Sequence, residues 1–223
     1  MNELDIETWM EDLTRSLDQA FGSRLILVGL QGSRARGEAR EGSDIDAVVV
    51  VDALSADDLA CYQGVIASLP HAELACGFIG SPEVLAHWPR YDVFNLIEDT
   101  RVFFGSFDFM NTAFTAEDAL DSAKAGAAEI YHVLVHACVF EEENLIPLLG
   151  ACLKSSFFVL RALQFAKTGE YPASRARMRE LAGEQERDFL DTYETGIEKD
   201  AAKELSNQLI TWSEGVLKNS AAQ

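Results

Sequence analysis

The feature that most constrains this chain is a change of periodicity part-way along it. Up to Phe107 short apolar runs alternate with amphipathic stretches, whereas beyond it no strand pattern remains. A strand-rich first half followed by an all-helical second half predicts two lobes. The join falls near Asp108 to Thr112, giving a first domain over 1–110 and a second over 111–223. The predicted fold class is α+β, a mixed sheet with flanking helices followed by a helical bundle.

In the first half, Ile6, Trp9, Met10, Leu13, Leu17 and Phe21 have helical spacing. Strands are expected at Leu25 to Leu30, Asp44 to Val51, Glu73 to Ile79 and Arg101 to Phe104. Val93 to Ile97 is a further candidate strand that also suits a helix. Ser55-Ala56-Asp57-Asp58 and Thr115-Ala116-Glu117-Asp118 read as capping boxes opening helices, and Ser81-Pro82 opens a short one. The second half predicts helices from Thr115 to about Val139, Pro147 to Lys167, Ser174 to Leu181, and Glu184 to Leu217 with a break near Gly196.

The chemistry-bearing segment is Leu30-Gln31-Gly32-Ser33-Arg34-Ala35-Arg36-Gly37-Glu38-Ala39-Arg40-Glu41-Gly42-Ser43-Asp44-Ile45-Asp46. Asp44 and Asp46 lie two apart on a predicted strand and so share a face. Two carboxylates this close repel unless a cation lies between them. Hard oxygen donors on a rigid strand suit Mg²⁺, which completes its shell with water and phosphate oxygens. Gly32 lets backbone approach an anion closely, and Ser33 adds a hydroxyl. Arg34, Arg36 and Arg40 form the densest basic patch in a chain with net charge −19, from 37 acidic and 18 basic residues. The pattern predicts a triphosphate site inside an acidic protein. That overall charge disfavours a nucleic-acid polymer as partner and favours small cations.

These residues resemble the DNA polymerase β-like nucleotidyltransferase superfamily, whose signature is an apolar strand, Gly-Ser, a spacer and Asp-x-Asp opening the next strand. The stretch Gln31 to Glu38 is similar to small bacterial members, including aminoglycoside adenylyltransferases, which add a helical C-terminal domain. The resemblance implies transfer of a nucleoside monophosphate, AMP from ATP or another NTP, to a hydroxyl acceptor with release of pyrophosphate. It implies two Mg²⁺ ions held by Asp44, Asp46 and a third carboxylate, for which Glu73 is the candidate and Asp92 the runner-up. Glu73 would also take the acceptor's proton. Gly32, Ser33, Arg34 and Arg36 would hold the nucleotide, with Lys154 of the helical half reaching its phosphates. Gln31 stands where many relatives carry an aromatic residue. A protein-adenylylating, antitoxin-type enzyme and a catalytically silent nucleotide-binding module are the alternatives. A homodimer is in keeping with the resemblance.

His132 and His136 share a helical face but lack a third ligand for zinc, and read as partly buried or facing the inter-lobe cleft. Lys154 and Arg161, seven apart, fall nearly on one face, and Arg175 to Arg179 read as a solvated helix face. Cys61, Cys76, Cys138 and Cys152 sit in apolar stretches and read as reduced core thiols. The start of the chain, Met1-Asn2-Glu3-Leu4-Asp5, lacks a signal-peptide pattern. No unbroken apolar run approaches the roughly 18 residues that span a membrane. The expected location is the cytoplasm.

Overall fold

The computed structural model describes residues 4–218, so the Met1 to Glu3 part of the N-terminal run lies outside the described residues. The chain divides into two compact units, Met1–Ala113 and Phe114–Gln223.

The first unit opens with helix α1 (Ile6–Phe21), N-capped by Asp5, whose carboxylate accepts from the Glu7 amide. Its apolar positions, Trp9, Met10, Leu13, Leu17 and Phe21, are all buried. The Trp9 indole N–H finds the Pro70 carbonyl at 2.7 Å, so the one polar atom on that face is satisfied. Strand β1 (Leu25–Gln31) leads through a single turn of helix, α2 (Gly32–Ala35), and a polar loop into β2 (Ile45–Val51). Helix α3 (Ala56–Ser68) starts at the expected capping box, with Ser55 and Asp58 bonded reciprocally. Then come β3 (Ala75–Gly80), α4 (Pro82–His87), α5 (Arg90–Glu98) and β4 (Arg101–Gly105).

The four strands form one mixed sheet in the order β3-β2-β1-β4. β1 runs antiparallel to β2 and β4, and β2 runs parallel to β3. β1 and β2 are central, which explains their nearly unbroken apolar character: each face of the sheet meets a helical layer. Val28, Leu30, Ile45, Ala47, Val49 and Val51 pack with α1 and with Tyr62, Val65 and Ile66 of α3. Leu27, Val48 and Val50 pack on the other side with Leu85 of α4 and Leu96 and Ile97 of α5. Gly77 lets β3 approach β2 closely. Its φ is +126°, and a Cβ there would come within 2.6 Å of the Ala47 amide nitrogen.

One open alternative is resolved here and one sequence expectation is corrected. Val93 to Ile97 is helical, within α5. The helix follows Pro89 and carries Asp92 in its first turn, start signals that override the β-forming side chains. The third strand begins at Ala75 rather than Glu73, because His71 takes φ +58° and Ala72–Leu74 coil into a 3₁₀ turn.

The second unit pairs two long helices, α6 (Ala116–Phe140) and α7 (Leu145–Thr168), through a 3₁₀ turn at Glu142–Asn144. Thr115 and Asp118 form the expected capping box of α6. Helices α8 (Arg175–Leu181), α9 (Glu184–Thr195) and α10 (Ala202–Lys218) complete it. α10 packs on α6 and α9 on α7, with Trp212 edge-on to Phe189 at 5.7 Å.

Burial differs from expectation at several places. Among the four free cysteines only Cys152 is buried, and burial, with a smaller push from Glu129, raises its thiol to about 11. Cys61, Cys76 and Cys138 are exposed, since an apolar neighbourhood in sequence does not say which face a residue occupies. His132 and His136 are both exposed, and His136 lies 3.4 Å from Glu141. Lys154 is exposed, whereas Arg161 is only 2% exposed. The chain after α7 folds back over Arg161, whose guanidinium lies 3.9 Å from the Tyr171 ring centroid and donates to the Pro172 carbonyl. Arg175 is buried too, stacked between Phe157 and Tyr193, while Arg177 and Arg179 make exposed ion pairs. One segment, Glu142–Thr168, is apolar and long enough to cross a membrane by length and composition, although polar residues interrupt its run. More than half of its most apolar window, 56%, is buried inside the protein, as in a core helix.

Candidate functional site

The end of β1 and the start of β2 bring the Gly-Ser turn and the acid pair together. Gln31 lies opposite Asp46 across the antiparallel ladder. Asp46 is half-buried, and Asp44, immediately before β2, is exposed. They stand two residues apart, Asp44 in the loop and Asp46 on the strand.

Gly32 carries the tightest constraint. Its φ is +73°, and a Cβ there would lie 2.9 Å from Asp46 Cγ and closer still to Oδ2. Only a residue without a side chain leaves room for that carboxylate beside the turn. Ser33 follows, and its carbonyl accepts from the Glu38 amide at 2.8 Å. The turn is thus closed by its own backbone.

The two arginines expected to hold nucleotide have protein partners. Arg34 donates from Nε and Nη2 to the Ser43 carbonyl, at 3.2 and 2.6 Å, and from Nε to the Asp44 carbonyl at 3.1 Å. It clamps the far end of the loop at the residue that begins the acid pair. Arg36, 6% exposed in its side chain, pairs with Glu38 at 3.0 Å and with Asp99 at 2.7 Å. Burial works against its charge, but Asp99 and Glu38 outweigh it and hold its pKa above the ordinary arginine value. Arg40 is exposed, and its amide donates to Ser43 Oγ.

Glu73 lies in the 3₁₀ turn before β3, at the end of the sheet where β2 begins, since Ile45 pairs with Ala75. Its side chain is 74% exposed and 3.8 Å from His71 Nδ1. Asp92 accepts a 2.5 Å bond from the Trp88 indole N–H. The position on β3 directly beside Asp46 is Cys76. Among the described residues no three Asp, Glu, His or Cys side chains converge as a metal-binding group. The Asp44–Asp46 pair alone matches the donor set of Mg²⁺ that takes its remaining ligands from water and phosphate, with Asp44 exposed and Asp46 half-buried. Lys154 lies on α7 of the second unit, its side chain exposed.

Sequence reasoning missed Asp99. It follows α5, its side chain is 7% exposed, and it accepts from the Gly32 amide at 3.3 Å and twice from Arg36 Nη1. No local pattern marks it, because its partners lie more than sixty positions upstream.

Comparison with known proteins bears directly on this arrangement. The nucleotidyltransferase domain family matches residues 10–75, a span that includes most of α1, the Gly-Ser turn and the acid pair. The chain carries a nucleotidyltransferase domain. A transferase activity goes with that domain, and the polymerase β-like resemblance of the sequence agrees with it. The match takes in less than half of the chain. Among solved structures, the fold is similar to that of spectinomycin adenyltransferase from Enterococcus faecialis, crystallised with ATP and spectinomycin. The TM-score is 0.60 over 96% of this chain and 100% of that one, at 14% identity, so the likeness is one of fold. A search of curated proteins matched none to the chain. The nucleotidyltransferase domain therefore sits in a mixed sheet followed by helices, as the resemblance implied.

Proposed function

We propose that the chain transfers AMP from ATP to a hydroxyl of a small-molecule acceptor in the cytoplasm. The acceptor oxygen bonds to the α-phosphorus, the bond from that phosphorus to the bridging oxygen breaks, and pyrophosphate leaves. The observation that carries the reading is the contact of Gly32 with Asp46, which sets a positive-φ glycine turn against the inner acid of the pair.

Asp44 and Asp46 hold Mg²⁺ in this reading, with Glu73 as the third carboxylate. Bound there, Mg²⁺ would neutralise phosphate charge and lower the pKa of the acceptor hydroxyl. Ser33, carried by the Gly32 turn, orients the phosphates. Arg34 keeps Asp44 in place through its carbonyl, and Glu73, exposed at the same end of the sheet, accepts the hydroxyl proton. The small-molecule acceptor is supported by the fold it shares with an enzyme crystallised with ATP and spectinomycin and by the −19 charge, which draws cations toward the protein.

The test is Asp46→Asn with α-labelled ATP and Mg²⁺. The variant should fold as the wild type does by circular dichroism and lose transfer by at least about 100-fold, the scale on which loss of electrostatic transition-state stabilisation is measured. Wild-type turnover in the variant would remove the acid pair from the mechanism. Label appearing on a protein band, rather than in small metabolites, would replace the acceptor class with a protein target.

A further inference from the structure

The last turn of α5 and the residue after it send bonds into the Gly-Ser turn from outside the sequence motif. The Leu96 carbonyl accepts from Gln31 Nε2 at 2.8 Å. Asp99 accepts from the Gly32 amide at 3.3 Å and from Arg36 Nη1 at 3.0 and 2.7 Å. Residues 31, 32 and 36 are thereby tied to one short segment, Leu96 to Asp99, before, within and after the turn. Both charged partners are nearly sealed from water, with side chains 6% and 7% exposed. At that burial the pair holds its geometry far better than a surface ion pair does. Gly32 has little freedom of its own, since it lies at φ +73° against the Asp46 carboxylate. A shift of its amide therefore changes the space over Asp46.

We propose that Asp99 is a positioning residue for nucleotidyl transfer. Its carboxylate fixes the Gly32-Ser33 turn beside Asp46, and Arg36 serves as its buried counter-charge instead of as a phosphate ligand. This rests on the AMP-transfer reading above, but part of its test does not. In the free protein the Gly32 amide should exchange with deuterium slowly because Asp99 accepts its hydrogen.

The experiment compares wild type, Asp99→Ala, and Asp58→Asn. Asp58→Asn weakens another arginine–carboxylate contact, with Arg24, at the opposite end of the sheet. Hydrogen exchange of the Gly32 amide is measured by NMR on the free proteins, together with melting temperature and kcat for AMP transfer. Asp99→Ala should speed Gly32 exchange and lower kcat, each by about tenfold or more, whereas Asp58→Asn lowers the melting temperature and changes neither. Unchanged exchange in Asp99→Ala overturns the proposal, as does an altered melting temperature with wild-type kcat, which is what a purely structural ion pair would give. Should Asp99→Ala not fold, Asp99→Leu, of similar volume and with no acceptor, is read on the same measurements and against the same outcomes. A wild-type protein that transfers no nucleotide defeats the functional reading, and the exchange measurement then decides the placement of the turn alone.

Discussion

Gly32 shows how one missing atom can govern a site. Its φ of +73° suits glycine, and the space its Cβ would fill belongs to Asp46. Gly32→Ala should cost about 1–3 kcal/mol from backbone strain and crowding. It should reduce transfer far more than that loss of stability explains, because Asp46 must turn away to make room. Thermal melting and kcat measured on one preparation separate the two effects, and a variant with wild-type kcat would show that the Asp46 carboxylate need not stay where it is. At this scale the sequence was legible wherever partners are contiguous. The turn and the acid pair lie within one loop's length, so their association could be read directly. Arg36 was harder to read: its charge is visible in the sequence, but its burial between Glu38 and Asp99 is not. Asp99 left no local trace because its partners arrive from a distant part of the chain.

Elements are legible where their ends carry chemistry. Both capping boxes formed as the sequence implied, and α1 spans the stretch its apolar spacing marked. Where only composition was available, the reading left one run open and misplaced one strand's start. The β-forming run Val93 to Ile97 became helix once Pro89 and Asp92 supplied a start, and β3 began two residues after Glu73 because the backbone at His71 turned left-handed. Asp58 joins two elements, capping α3 and pairing with Arg24, which leads into β1. The Arg24 guanidinium, with Ser55, holds the Asp58 carboxyl well below the usual carboxylate range. A depressed folded-state pKa contributes stability above the unfolded value, about 4, and that contribution is lost as pH falls below it. The pH dependence of urea unfolding between pH 7 and pH 3 should therefore be shallower in Asp58→Asn than in wild type. An unchanged acid limb would mean that Asp58 is equally perturbed in the unfolded chain.

The charge of the whole molecule, −19, is the property most exposed to solution conditions. If a cationic acceptor is drawn in by that field, salt should weaken the attraction, since the screening length is about 8 Å at physiological ionic strength. KM for a polycationic acceptor should rise severalfold between 10 and about 300 mM NaCl, while KM for an uncharged one stays nearly constant. Equal salt responses would assign acceptor capture to local contacts instead. The pairing of β1 with β2 has one more consequence. Gln31 faces Asp46 in a ladder whose next residue on each strand belongs to the core beneath α1. Sliding β2 by a single position would drive the Asp46 carboxylate into that hydrocarbon and turn Ile45 and Ala47 outward. A chain that mispairs these strands forfeits its interior along with its chemistry, so quality control of folding also serves as quality control of the active site.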